Sequence, residues 1–401
     1  MQVKQCFVSA PGKSILHGEH AVVHGKVALA VSLNLRTYLR LLSTTSGEVT
    51  INLPNIDTFL TWDVTELQPL LSDLTVDSSV DNDLDLNLVK KLREFTGIAE
   101  GSTDTRSMAV LAFLYIYLSV FSDADVLPSL SVCVWSELPT GAGLGSSAAF
   151  SVCLSAALLS AGEQISTPLS SQQQQQNTAR WTDAELELIN KWAFQGEKII
   201  HGNPSGVDNA VGTWGGVLRY HAGKITPLSR VPTLRILLSN TKVPRSTKVL
   251  VSGVKDKINK YPSIITPVLE SVDAVSKTCE QTLAEMATDG TSAKHYSILE
   301  DLIDINQHHL NVMGVGHPSL DTLCRVTLAH GLHSKLTGAG GGGCGITLLR
   351  PETEPSVVRA AVQELKEAGF DCWETSLGGP GVLMHSPNSI PQNTLSILNS
   401  Y

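Results

Sequence analysis

The sequence predicts a two-domain protein of the α+β class. Three observations carry this. The chain has 401 residues, too many for one ordinary core, and 42% of them are apolar, enough to bury a full one. Alternating apolar segments and longer helical runs occur along the chain. The pattern changes near residue 230, which places the domains at 1–229 and 230–401. A formal net charge of −9 argues against general nucleic-acid binding but allows a local nucleotide site.

Residues 3–10 read as a first strand, broken by Pro11-Gly12. Lys13, His17, Glu19, His20 and His24 then sit between apolar residues, where ionisable groups are costly unless something uses them. The three histidines are a poor metal set. Glycines spoil helical spacing, and no cysteine or carboxylate cluster completes a tetrahedron. Val27–Leu41 alternates as a long strand, and Val49–Leu53 is another, ending at Pro54-Asn55. Residues 73–87 are acidic and suit a surface loop. The apolar run Met108–Phe121 is shorter than the ~20 residues that span a bilayer and reads as a core helix.

Leu130–Trp135 reads as a strand, and Glu137–Phe150, ELPTGAGLGSSAAF, follows it. An apolar run of small residues continues to Ala161 as a helix. Gly141, Gly143 and Gly145 leave no Cβ to hold a phosphate off the backbone. The first N–H groups of the helix have no internal partner, and its dipole favours an anion there. Taken alone, the segment reads equally well as a glycine turn with a serine cap. It is not a Walker loop, because no Lys-Ser or Lys-Thr pair closes it. As a dinucleotide fingerprint it brings its third glycine one residue early.

The glutamine run 172–176 is low complexity and reads as a mobile loop. Trp181–Ile200 is helical, capped by Thr182 or Asp183. It carries Glu197 and leads through Gly-Asn-Pro-Ser-Gly to Asp208 at a second helix or turn start. A helix-terminal aspartate is commonly a cap, but apolar neighbours suggest burial, and a buried aspartate needs a partner. Past residue 230, Leu234–Ser239 is a strand and 248–286, 293–313 and 318–330 are helical. KLTGAGGGGCGI (335–346) lies between a helix and an apolar strand, so its glycines suit close backbone approach better than a linker. A helix at 355–369 and short strands at 371–376 and 380–385 follow. The seven cysteines are odd in number and widely spaced, as expected of reduced thiols in a cytosolic protein. The first residues carry no apolar signal core, and Asn399-Ser400-Tyr401 is not a peroxisomal tripeptide.

Three segments together, APGKSILHGEHAVVHG, PTGAGLGSSAA and KLTGAGGGGCGI, resemble those of the GHMP kinases, over roughly residues 7–385. With GNPSGVDN and TKVPRST, the first segment is similar to the animal members that act on mevalonate. The resemblance implies an N-terminal α/β domain, a C-terminal ferredoxin-like domain and a site between them. It implies ATP, Mg²⁺ and transfer of the γ-phosphoryl group to the 5-hydroxyl of mevalonate. Asp208 matches the family's catalytic base and Lys13 the lysine that pairs with it and reaches the phosphate. Ser147 and Glu197 match the Mg²⁺ ligands. Gly141, Ala142, Gly143, Leu144, Gly145, Ser146 and Ser147 match the phosphate cradle. Asn55 and Ser136 match residues near the nucleoside, and Glu19, His20 and Thr247 lie where the acceptor is expected. A homodimer and inhibition by prenyl diphosphates, competitive with ATP, are implied in the same way.

Phosphoryl transfer needs charge neutralised and oxygens aligned, which these residue types supply. A lysine beside an aspartate stabilises the carboxylate, so Asp208 has two open roles: accepting the hydroxyl proton or orienting the hydroxyl. Two alternatives stand beside this. One is another GHMP kinase: galactokinase would carry a different acceptor motif, and phosphomevalonate kinase added cations. The other is a non-catalytic ligand sensor, against which Lys13, Ser147, Glu197 and Asp208 stand as a complete set.

Overall fold

The structure is a computed structural model that describes residues 4–71, 83–169 and 176–400. The strands in chain order are β1 (Gln5–His17), β2 (Ala28–Ser43), β3 (Glu48–Leu53), β4 (Thr58–Asp63), β5 (Leu130–Ser136), β6 (Thr178–Ala179) and β7 (Val217–His221). Then come β8 (Lys224–Pro227), β9 (Leu234–Asn240), β10 (His333–Leu336), β11 (Cys344–Leu348), β12 (Asp371–Leu377) and β13 (Leu383–His385). Among the described residues they join into one 13-stranded sheet. β2 is its spine. It pairs along its length with β1, near its start with β7, at Leu33 with β12, and from Thr37 onward with β5.

The glycine loop follows β5 and opens the helix Ser146–Ala161. That helix is buried on all sides from Ala148 to Ala161, as its small and apolar residues require. The helices Thr105–Val120 and Asp183–His201 pack against it. Thr182 and Glu185 form a reciprocal capping box at the start of the latter. The second half builds strand, helices, hairpin, helix, strand, in the spatial order β10, β11, β9, β12. This is the ferredoxin-like arrangement, with Thr247–Lys260, Pro262–Asp289, Ala293–Met313 and Pro318–Ala329 filling its first crossover.

Pro11-Gly12 does not break the first strand. β1 runs through it to His17, with a register shift between Pro11 and Gly12 that absorbs the irregularity as a bulge. The helix Leu86–Thr96 starts inside the stretch expected to be an acidic loop, capped by Asp85. The rest of that stretch, 73–82, and most of the glutamine run lie outside the described residues. The helix Gln392–Asn399 and the strands β4, β7, β8 and β10 are additions to the expected elements. All seven cysteines are free thiols. Among the described residues no helix is long and apolar enough to cross a membrane.

The last strands return to the first ones. β13 pairs with β1, at Phe7–Ser9 opposite His385–Leu383. A buried guanidinium fixes this return. Arg36, 5% exposed, donates through Nε to Ser9 Oγ (2.7 Å), through Nη1 to Pro380 O (3.0 Å) and through Nη2 to Ser9 O and Gly381 O (3.1 and 2.6 Å). Ser9 Oγ accepts there, so its proton goes to His385 Nε2 (2.7 Å). His385 Nδ1 then donates to Ser389 Oγ (3.0 Å), whose hydroxyl donates to Ser386 O (2.9 Å). The chain of donors holds the imidazole neutral in one tautomer.

Burial, with Arg36 adding repulsion, lowers the His385 imidazole to about 4 from its usual 6.5. Between those values the unfolded chain binds a proton that the folded chain does not, so stability falls as pH falls through the window. The most this contributes is about 3 kcal/mol. His385→Gln keeps an acceptor for Ser9 and removes the titration. Urea denaturation at pH 7 and pH 4.5 should show a larger loss for the parent than for the variant. Equal losses would place the acid sensitivity elsewhere.

Candidate active site

The site begins where β1 runs against the glycine loop. Lys13 N donates to Leu144 O at 2.8 Å. Gly145 ends the loop with φ +73°, and a Cβ there would lie 3.3 Å from Lys13 Cβ and 3.8 Å from Asp208 Oδ2. Glycine at 145 therefore satisfies both a left-handed turn and a close approach. Asp208 stands in the first turn of the helix Val207–Trp214, and Lys13 Nζ is 3.0 Å from its Oδ1. No side chain caps the helix Ser146–Ala161, which leaves its first N–H groups to a ligand.

Glu197 is buried behind this pair, at 2% exposure, and among the described residues its Oε1 has no hydrogen-bond partner. Burial first, then the nearby Asp208 carboxylate, pushes it up to about 8, against the Ser147 hydroxyl and Lys13. Ser147 Oγ is also 3.0 Å from His201 Nε2, one helical turn after Glu197. An orphaned carboxylate oxygen beside a hydroxyl is a donor set that suits Mg²⁺, which takes few protein oxygens and completes its shell with phosphate and water. Among the described residues no group of three or more histidine, cysteine or acidic side chains is placed to hold a metal.

A cavity of about 1050 Å³ opens in front of the pair. It exceeds the usual size for one small ligand and leaves room for two reactants side by side. Gly141, Gly143, Leu144, Gly145, Ser146 and Ser147 line one wall, and Thr247, Gly338 and Ala339 line another. Ala142 is buried behind the loop. A smaller, mainly apolar pocket of about 120 Å³ adjoins it at Thr105, Thr140, Ser146, Ser147 and Ile200. Asn55 and Ser136 lie in that pocket. Asn55 Nδ2 donates to Ser136 O (3.0 Å) and Ser136 N donates to Asn55 Oδ1 (2.8 Å).

The acceptor candidates divide. Thr247 lines the large cavity and starts the helix Thr247–Lys260. His20 is buried just behind that wall, with φ +62°, an unusual backbone for a non-glycine residue, and its Nε2 donates to Ala339 O at 2.7 Å. Glu19 does not line the cavity. It is fully buried in an ion pair with Lys335 of β10, and Asn306 Nδ2 donates to its other oxygen at 3.0 Å. Burial pushes the Glu19 carboxyl up, while Lys335 opposes it. Asn306 Nδ2 also donates to His17 Nδ1 (3.2 Å), and burial, helped by Lys335, holds His17 far below its ordinary value. Nearby, Thr337 Oγ1 accepts from Ile15 N (3.0 Å) and donates to Ile15 O (2.9 Å), which docks the third motif on the first.

Arg245, Lys335 and His201 carry weight that pattern reading missed. Arg245 Nη2 donates to Ala142 O at 2.7 Å across the cavity. Only His201 had a readable signal, its spacing of four from Glu197 on one helix.

Comparisons with known proteins agree with this geometry. The family described as GHMP kinases N terminal domain matches residues 110–216, and GHMP kinases C terminal matches 287–368. The mevalonate kinases of Bos taurus and Homo sapiens are 60% and 58% identical to the chain, each alignment covering 98% of both proteins. The crystal structure of the Methanococcus jannaschii mevalonate kinase superposes with a TM-score of 0.66 at 20% identity, over 94% of this chain and all of that one.

The Glu19–Lys335 pair supports a prediction. Breaking a buried pair strands a charge and costs about 3–5 kcal/mol, whereas replacing both partners costs much less. Lys335→Met should lower the denaturation midpoint sharply, and Glu19→Gln added to it should restore most of the loss. Additive losses in that double-mutant cycle would show that the pair is not coupled.

Proposed function

The chain belongs to the mevalonate kinases of the GHMP kinase family, and from that premise we propose that phosphoryl transfer from ATP to the mevalonate 5-hydroxyl takes place at Lys13 and Asp208. The observation that carries this is their 3.0 Å pair, set at the mouth of an uncapped helix whose glycine loop opens into the large cavity. The reaction serves isoprenoid and sterol precursor synthesis. The glycine loop receives the phosphates on backbone amides, and the apolar pocket with Asn55 and Ser136 takes the nucleoside. Thr247 and His20 shape the acceptor side. The boundary near residue 230 separates the half with the phosphate loop from the ferredoxin-like half.

Asp208 holds the acceptor hydroxyl and receives its proton, while Lys13 stabilises the carboxylate and lies beside the phosphates. Ser147 and Glu197 would hold Mg²⁺, which when bound neutralises charge on the phosphate oxygens. Glu197 holds a cation only as a carboxylate, and its burial beside Asp208 favours the protonated acid, so that proton would be displaced when Mg²⁺ binds. A cytoplasmic location and a homodimer complete the proposal. They are supported by the free cysteines and by the family, respectively.

ADP release measured with mevalonate, galactose and homoserine tests the function, and turnover should appear with mevalonate alone. Asp208→Ala should lower turnover ~10²–10⁴-fold with a small change in ATP affinity. Near-normal turnover would remove Asp208 from the mechanism. Ser147→Ala and Glu197→Ala should each raise the Mg²⁺ concentration giving half-maximal rate while melting close to the parent. Unchanged midpoints would reassign the metal. Farnesyl diphosphate should compete with ATP for the same amides, giving curves that share one maximal rate. Competition with mevalonate instead would place the inhibitor elsewhere.

A further inference from the structure

Arg245 lines the cavity, and the mechanism leaves it unused. Among the described residues the cavity is lined by two strong cations, Lys13 and Arg245. Lys13 has Asp208. Arg245, half-buried, bonds only a neutral carbonyl among the described residues, Ala142 O of the phosphate loop, and its Nε is buried without a partner. The guanidinium threads between two glycine loops. A Cβ at Gly143 would lie 2.5 Å from Nη2, and one at Gly343 would overlap Nη1. Both loops are therefore bare where this one side chain crosses, one loop from each half of the fold. Guanidinium bonds to an oxyanion are roughly twice as strong as neutral ones, so a carbonyl is a poor final partner for it. An oxyanion seated on the Gly141–Ser147 amides competes for those donors at close range.

We infer that Arg245 is a further catalytic residue, which exchanges the Ala142 carbonyl for the terminal phosphoryl oxygens of the nucleotide and so clamps them from the side opposite Lys13. This rests on the phosphoryl-transfer reading above. In the transfer the bond from the β–γ bridging oxygen to the γ-phosphorus breaks, and that to the acceptor oxygen forms. The acceptor proton leaves toward Asp208. Arg245 takes no proton and stays a cation beside the equatorial oxygens, where charge is spread. Its bond to Ala142 O of the phosphate loop favours the terminal phosphoryl group over the acceptor carboxylate as its ligand.

Arg245→Ala should lower turnover ~10²–10³-fold and abolish the preference for a non-hydrolysable ATP analogue over ADP in calorimetric binding. Free guanidine at non-denaturing concentration should restore part of its turnover, which urea and sodium chloride should not. Arg245→Lys keeps the charge without the planar fork and should fall between. It carries the test if the alanine variant melts early. Gly343→Ala, which displaces the guanidinium, should reproduce the loss and add little to Arg245→Ala. The inference is overturned by parent-like turnover in Arg245→Ala, by a loss that guanidine does not rescue, or by a raised mevalonate KM with nucleotide preference intact. The parent serves as control. If it releases no ADP with mevalonate, the functional reading fails and not the role of Arg245 within it.

Discussion

The structure depends on one close approach, that of strand β1 to the glycine loop with no side chain between them. Gly12 and Gly145 make it possible. A Cβ at Gly12 would lie 2.5 Å from Leu138 Cδ2 and 3.0 Å from Leu144 O, and one at Gly145 would press on Lys13. With both absent, Lys13 bonds the loop through its backbone and reaches Asp208 with its side chain. The phosphate cradle, the ion pair and the helix mouth thus share one frame. Catalytic groups need placement within a fraction of an ångström, and rigid strand and helix ends provide it better than loops do.

Around that frame the molecule spends stability to hold charge. Glu19 and Lys335 are fully buried, Glu197 keeps an unpartnered oxygen, and Arg36 sits among carbonyls. Each of these desolvations is unfavourable on its own. The Glu19–Lys335 pair and Arg36 lie where the two halves of the chain meet, and there they do what apolar packing cannot. Apolar contacts tolerate sliding, whereas the Glu19–Lys335 pair and the Thr337 bonds allow one register between the first and third motifs.

Much of this was legible in the residues. The strand, glycine loop and helix at 130–161 followed from alternation and from the small apolar run. Asp208 was marked by apolar neighbours around a charge. What was not legible shares a physical cause, since its partners are distant in sequence and are mostly backbone. Arg245 bonds a carbonyl and fits against glycines, so no pairing of side chains announces it. Lys335 makes β10 look polar until Glu19 is found opposite it. Motif position places Glu19 near the acceptor and says nothing of the direction its side chain takes. The bulge at Pro11-Gly12 escaped because a breaker inside a strand and a breaker ending one look alike in sequence.

The return of β13 to β1 bears on how the protein is made. Ser9 and His385, which bond each other, are 376 residues apart. At roughly 5–20 residues per second, a ribosome takes about 20–75 s to deliver the second after the first. Throughout that interval β1 has β2 on one side and a bare backbone edge on the other at Phe7–Ser9. An open edge is a template for pairing with another chain. The nascent N-terminal half therefore keeps an open strand edge until the last strand emerges, and that interval is when edge pairing with another chain competes with the native return.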